Sequence, residues 1–257
     1  VAVTALSALR GALGFLSRVP VDHSEAGWEA FRRTPTAIPA AGYLLGGLVA
    51  LVAVALPLTL GFPAPTLALA LVGSTYLLTG ITHVDGVADL GDAAVVHGDA
   101  AARRAVLKDT AVGTGGVLAV AVVVAGLALA GLALASLPVR AAVAVVVAAE
   151  VGAKAALATL VCVGEPAHEG LGSALSTGAT PRDAMAVALV AAPVVLLAWP
   201  RPAVGIVVLL AAGAVAAGTL RWATTRLGGV SGDVFGATNE LARVVGLHAG
   251  VIAWTLL

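Results

Sequence analysis

The sequence predicts an all-α integral membrane protein, a polytopic bundle with six to eight crossing helices, on three observations. First, 60% of its 257 residues are hydrophobic and 11% are charged, against roughly 25% charged in soluble domains, and the mean hydropathy is +1.05. So little polar surface would not cover so large an apolar core in water. Second, several apolar runs approach or exceed the ~20 residues that a helix needs to span a bilayer. Third, stretches such as "LAVAVVVAGLALAGLALA" lack the alternation that a membrane β-strand would show. Abundant Gly and Ala suit close helix packing in lipid. Ala-rich low complexity hides no convincing repeat, and residues 1–257 read as one membrane domain.

Pro and charge punctuate the apolar runs and mark the elements in order. The opening "VAVTALSALRGALGFLSRVP" has Arg10 in its middle and no clear small-residue cleavage site. Roughly 3–18 therefore reads as an amphipathic or first membrane helix rather than a signal peptide. Helices are expected at roughly 36–60, 64–82, 115–136 and 139–162, then at 183–199, 203–223 and 239–257. The short connections near 61–65, 136–140 and 199–203 hold only Arg140 and Arg201 as basic residues. The longer ones, at 19–35, 83–114, 163–183 and 224–240, hold or adjoin Arg18, Arg32, Arg33, Arg103, Arg104, Lys108, Arg182 and Arg226. The positive-inside rule puts that face in the cytoplasm of a cell membrane. Apart from Glu150, every Asp and Glu lies on or beside the same face, so any chemistry is expected there.

The formal net charge is zero, which gives no ground for a nucleic-acid partner. The single cysteine, Cys162, excludes an intrachain disulfide and a cysteine-clustered metal site.

Against this apolar background "HVDGVADLGD", residues 83–92, stands out. Asp85, Asp89 and Asp92 are spaced i, i+4, i+7, so on a helix they fall within about 60° of one another. No Lys or Arg is interleaved to relieve their repulsion. A divalent cation would relieve it, and hard oxygen donors suit Mg²⁺ or Mn²⁺. The plain alternative is a solvated acidic helix N-terminus. His83 is expected on the preceding bend, able to turn inward, and Gly86 leaves the backbone open to a phosphate between the acids.

Two further patches are polar. In "LKDTAVGTGGV", residues 107–117, Lys108 and Asp109 precede Gly113, Thr114, Gly115 and Gly116 and then a membrane helix. Glycine-rich backbone entering a helix N-terminus is one way to hold phosphate, although ordinary cap chemistry explains it equally. In "GGVSGDVFGATNEL", residues 228–241, Asp233 and Glu240 are seven apart with Gly236 between them. They share a helical face and would complete a two-metal or metal-plus-base site, unless the segment is only a turn with Ser231 as N-cap. Glu150 and Lys154, at i and i+4, are expected to pair toward the bundle interior, because charges cost roughly 2.5–3.5 kcal/mol each at a bilayer centre. His97 and His248 read as packing residues.

These blocks, with "GFLSRVPV" and "AGYLLGGLVA" earlier in the chain, make the sequence resemble the cobalamin synthase family, the adenosylcobinamide-GDP ribazoletransferases. "TGITHVDGVADLGDA", "LKDTAVGTGGVLA" and "GGVSGDVFGATNEL" occur here in the family's order. Where the family usually has a small polar residue and then a basic one after the second block's aspartate, this chain has Thr110 and then Ala111. The resemblance implies an Mg²⁺-dependent transferase that joins adenosylcobinamide-GDP to α-ribazole or its 5′-phosphate, releasing GMP. It assigns Asp85, Asp89, Asp92 and Asp233 to metal binding, with Glu240 as a further ligand or a neighbour of one. His83 or one of Asp85, Asp89 and Asp92 would take the proton from the attacking hydroxyl. Arg18, Lys108, Asp109, Gly113, Thr114 and Gly232 become candidate contacts for phosphate or nucleotide. The lipid bilayer and a second copy of the chain are the implied partners beside the two substrates.

Two rivals remain at this point. CDP-alcohol phosphotransferases also bind metal through spaced aspartates on membrane helices, but "DGVAD" puts Asp89 where their arginine stands. A transporter would use the acids as an ion site, but such sites lie near the midplane on broken helices, and these acids cluster at one membrane edge. A purely structural membrane subunit explains the acids least well.

Overall fold

The computed structural model describes residues 5–21 and 24–257 of the chain. Val3 and Thr4 of the expected first helix, and Asp22 and His23, lie outside the described residues. The architecture is all-α; among the described residues the only β-type pairing is an isolated bridge between Pro166 and Val230.

Two short helices open the chain, α1 (Ala5–Leu16) and α2 (Glu25–Arg32). At 12 residues, α1 is too short to cross a bilayer at 1.5 Å per residue. It folds against α2 through Phe15, Trp28 and Phe31. Ser24 caps α2, accepting the Gly27 N–H, and Arg32 and Arg33 pair with Glu29.

The first long run is α3 (Ala37–Ala50), a π-helical stretch (Leu51–Ala55) and α4 (Leu56–Thr59). Pro57 has no N–H to give the preceding turn, and the wider π stretch sits where that bond is missing. After a short connection come α5 (Ala64–Thr79) and α6 (Thr82–Val95), with a bend of 101° between them. Gly80 makes the break: its φ of 75° ends α5 in the left-handed region that glycine adopts without a Cβ penalty. Then follow α7 (Ala100–Val106), α8 (Thr114–Leu134), α9 (Val139–Val163) and α10 (Leu171–Ser176). A further run, α11 (Asp183–Ala191), continues as a 3₁₀ stretch (Ala192–Ala198), and α12 (Pro202–Arg226) and α13 (Gly232–Leu256) complete the chain.

Among the described residues four helices are long and apolar enough to cross a membrane singly: Ala37–Thr59, α8, α9 and α12; the bent pair α5–α6 would make a fifth. Other expected spans are present as helices that fall short of that measure, for two physical reasons. The run Asp183–Ala198 is short, and Pro193 converts its second half to 3₁₀. The 25 residues of α13 include Asn239, Glu240, Arg243 and His248 in an otherwise apolar span, and the helix begins at Gly232 rather than near 239.

The hub is α9, buried along nearly all its length and packed on α3, α12 and α13. Its alanines and Gly152 let the neighbours approach closely, and Gly42 and Gly46 of α3 do the same from the other side. At the short-loop end Arg201 lies over the Trp254 ring, 4.8 Å from its centroid, and donates to the Trp254 carbonyl. The long polar connections gather at the opposite end.

Candidate active site

At the polar end α6 packs across α13 and α8. Glycines make the crossings possible. A Cβ on Gly86 would meet the Asp233 carbonyl at 2.5 Å, one on Gly236 would meet His83 Cα at 3.0 Å, and one on Gly91 would meet the Gly115 carbonyl at 2.7 Å. The space expected beside Gly86 for a phosphate is therefore filled by the backbone of α13. The start of α13 is fixed in turn by Ser231, whose hydroxyl accepts the Val234 N–H. The 165–167 segment also holds it: Val230 and Ala167 exchange backbone hydrogen bonds with Glu165 and Val230 at 2.8 and 2.9 Å.

Between these elements lies a cavity of about 260 Å³ whose polar wall includes His83, Asp85, Gly232 and Asp233, with Phe15 and Leu157 on its apolar side. Asp85 is exposed, whereas Asp89 and Asp233 are half-buried. At 14 residues and turned away from α5, α6 lies outside the four singly crossing helices. Burial, and then Asp233, Asp85 and Asp92 in that order, push the Asp89 carboxyl up to about 6. Asp85, Asp89 and Asp233 make no ion pair among the described residues, so their mutual repulsion stands unrelieved. Among the described residues the Asp233 carboxylate accepts only the Ser231 hydroxyl, at 3.2 Å.

The expected five-carboxylate cluster does not form. Among the described residues no three His, Cys, Asp or Glu side chains converge closely enough to hold a metal ion. Asp92 is buried, and its two oxygens accept the N–H groups of Gly113 and Gly116 at 2.7 and 2.8 Å. The anion at the N-terminus of α8 is thus a side chain of the protein itself, and Gly113 does not offer its N–H to a phosphate. Glu240 is wholly buried. Its Oε1 accepts from Asn239 and Arg243, and among the described residues its Oε2 has no hydrogen-bond partner. Two turns of α13 separate it from Asp233, about 10 Å along the axis.

Glu240 belongs instead to a buried polar network that joins α6, α9 and α13. Glu150 pairs with Arg243 and with Lys154, the latter at 3.5 Å as the i, i+4 spacing predicts. Lys154 also donates to Asn239 Oδ1 at 2.7 Å, and Asn239 Nδ2 stands 3.1 Å from His83 Nδ1. Two acids and two bases balance, which is how charge is tolerated at this depth. Sequence reasoning missed Arg243 and Asn239; the i, i+3 spacing of Glu240 and Arg243 was the one available signal. His83 sits on α6 itself, not on a bend before it, and is buried.

The remaining candidates scatter around this centre. Gly232 is exposed at the first turn of α13, with open space where a Cβ would stand. Arg18 lies against Gly80 at the α5–α6 break. Thr114 opens α8 and is exposed. Lys108 is in a separate cavity with Arg104 and His168, and Asp109 accepts the Ala111 N–H in its own loop.

The family model for cobalamin-5-phosphate synthases matches residues 8–251. A protein from Halorubrum lacusprofundi described as adenosylcobinamide-GDP ribazoletransferase is 57% identical, over 97% of this chain and 98% of its own length. Proteins of the same description from Haloquadratum walsbyi and Halobacterium salinarum are 46% and 56% identical. They cover 98% and 76% of this chain, and 99% and 98% of their own lengths. No solved structure matches the chain.

Proposed function

Because the chain belongs to the cobalamin-5-phosphate synthase family and is a transferase, we propose that it joins adenosylcobinamide-GDP to α-ribazole or α-ribazole 5′-phosphate. The products are adenosylcobalamin or its 5′-phosphate, and GMP. The observation that carries this reading is the cavity at the polar end, where Asp85 and Asp233 meet His83 beside the start of α13. The family relationship sets aside the CDP-alcohol and transporter readings.

The donor set suits a hard divalent cation such as Mg²⁺, although among the described residues no three carboxylates converge. The two facts agree if only one or two of Asp85, Asp89 and Asp233 hold the ion. Mg²⁺ typically takes one or two carboxylates and fills its shell with water and substrate phosphate. When bound, the ion would neutralise the pyrophosphate charge that grows on the leaving GMP. The aspartates orient it, and the cavity aligns the ribazole 3′-hydroxyl with the phosphorus nearest the corrinoid. The 3′-oxygen bonds to that phosphorus as the bridging P–O bond breaks. The hydroxyl proton passes to a base of the cavity wall, and GMP departs with the bridging oxygen.

The positive-inside rule supports a cytoplasmic position for this end, in a cell membrane. A turnover assay on purified protein with both substrates and Mg²⁺ tests the reading: GMP and the cobamide should appear together in equal amounts. Failure of GMP to appear would refute it.

A further inference from the structure

The hydrogen bonds around Asn239 fix the direction of its amide by chemistry alone. Lys154 Nζ carries only donors, so the Asn239 atom it meets at 2.7 Å is the oxygen. Glu240 Oε1, an acceptor that already pairs with Arg243, lies 3.0 Å from the other amide atom, which must be the NH₂. That NH₂ also faces His83 Nδ1 at 3.1 Å. His83 Nδ1 is therefore an acceptor, and a neutral ring with an accepting Nδ1 carries its proton on Nε2. A second proton on the ring would break the Asn239 contact. Among the described residues no hydrogen bond to Nε2 forms, and His83 lines the cavity that holds Asp85 and Asp233.

We propose that Asn239, oriented by Lys154, is a positioning residue that holds His83 as the Nε2–H tautomer, so that His83 gives a hydrogen bond to an anionic oxygen in the cavity and is not the general base. On the transfer reaction proposed above, that oxygen is a non-bridging oxygen of the phosphorus under attack, and the ribazole proton goes to an aspartate. The relay's own charges pair with one another, Glu150 and Glu240 with Lys154 and Arg243, so it supplies orientation without adding net charge to the site.

The tautomer is read directly by ¹⁵N NMR of histidine-labelled protein in nanodiscs, with the His83 signals assigned by difference from His83→Gln. The resting protein should show a pyridine-like Nδ1 and a pyrrole-like Nε2. A pyrrole-like Nδ1, or two pyrrole-like nitrogens, would overturn the assignment. No substrate is present, so this result stands or falls independently of the reaction. Asn239→Asp, whose carboxylate accepts where the amide donated, should move the proton to Nδ1. Retention of the wild-type pattern in a folded Asn239→Asp protein would also count against it. The donor role is separated from a base role by His83→Gln and His83→Ala. The glutamine amide still donates near the Nε2 position, so His83→Gln should keep a kcat about tenfold or more above that of His83→Ala, since loss of one such donor costs about 10²–10³ in kcat. Equal loss in the two would mean that His83 works as a base.

Discussion

Asp92 accepts the Gly113 N–H at 2.7 Å across the gap between α6 and α8, and its other oxygen accepts from Gly116 at 2.8 Å. One carboxylate thus satisfies two of the amide groups that the first turn of a helix leaves without partners, and its charge complements the helix dipole. Its part in the site is to hold α6 at a fixed height against α8, so that Asp85 and Asp89 meet α13.

Asp92→Asn is accordingly expected to weaken the fold before it weakens any metal contact. The amide keeps one acceptor but sets an NH₂ against a backbone N–H, at a cost of about 2 kcal/mol for charged hydrogen bonds of this kind. The midpoint of thermal unfolding in detergent should fall, and Asp85→Asn, at an exposed position, should leave it unchanged. Equal midpoints for the two variants would remove the anchoring role.

Asp85→Asn, Asp89→Asn and Asp233→Asn should each fold and lose turnover on the order of 10²-fold or more, because each removes a carboxylate that would hold the cation or take the ribazole proton. Chelator should abolish activity, and Mg²⁺ or Mn²⁺ should restore it. Since among the described residues no three carboxylates converge, Mn²⁺ should bind weakly on its own and much more tightly once the GDP-activated corrinoid supplies phosphate oxygens. Paramagnetic resonance of Mn²⁺ measures both states. Tight binding without substrate would mean a preformed cage that the side-chain positions do not provide.

The Asp89 carboxyl, pushed up to about 6, gives a pH dependence with a definite sign. Below that value Asp89 takes a proton and stops attracting the cation, so activity should fall on the acid side through about pH 6. Because bound cation competes with the proton, raising Mg²⁺ should move that limb to lower pH, and Asp89→Asn should abolish the movement. An acid limb in wild type that ignores Mg²⁺ would assign it to another group.

Orientation is tested by labelling, using a background in which the buried Cys162 is replaced. Cysteines introduced at Asp99 and Gly170 should resist an impermeant thiol reagent added outside intact cells, whereas those at Phe62 and Pro200 should react. External labelling at Asp99 would turn the bundle over.

Most of the helices were legible in the sequence because Pro and Gly end the apolar runs. The pairs 64–82 against Ala64–Thr79, and 139–162 against Val139–Val163, differ by a few residues or fewer. The site was legible only one helix at a time. Spacing shows that Asp85, Asp89 and Asp92 share a face of α6, but a face can meet several neighbours along its length. Here its exposed end meets the cavity and its buried end meets the start of α8, which divides three equivalent-looking aspartates into two roles. Asp233 and Glu240 divide in the same way, because Arg243 and Asn239 claim Glu240. The contact between Lys154 and Asn239 spans 85 residues, and no local pattern announces a pair so far apart.

The central claim is transfer at the phosphorus next to the corrinoid, and an isotope placed on that phosphate of adenosylcobinamide-GDP tests it most directly. With ribazole and Mg²⁺ the label should appear wholly in the cobamide product, as the diester to the ribazole 3′-oxygen, with unlabelled GMP released only when ribazole is present. Label in released GDP, or GMP released at full rate without ribazole, would contradict it.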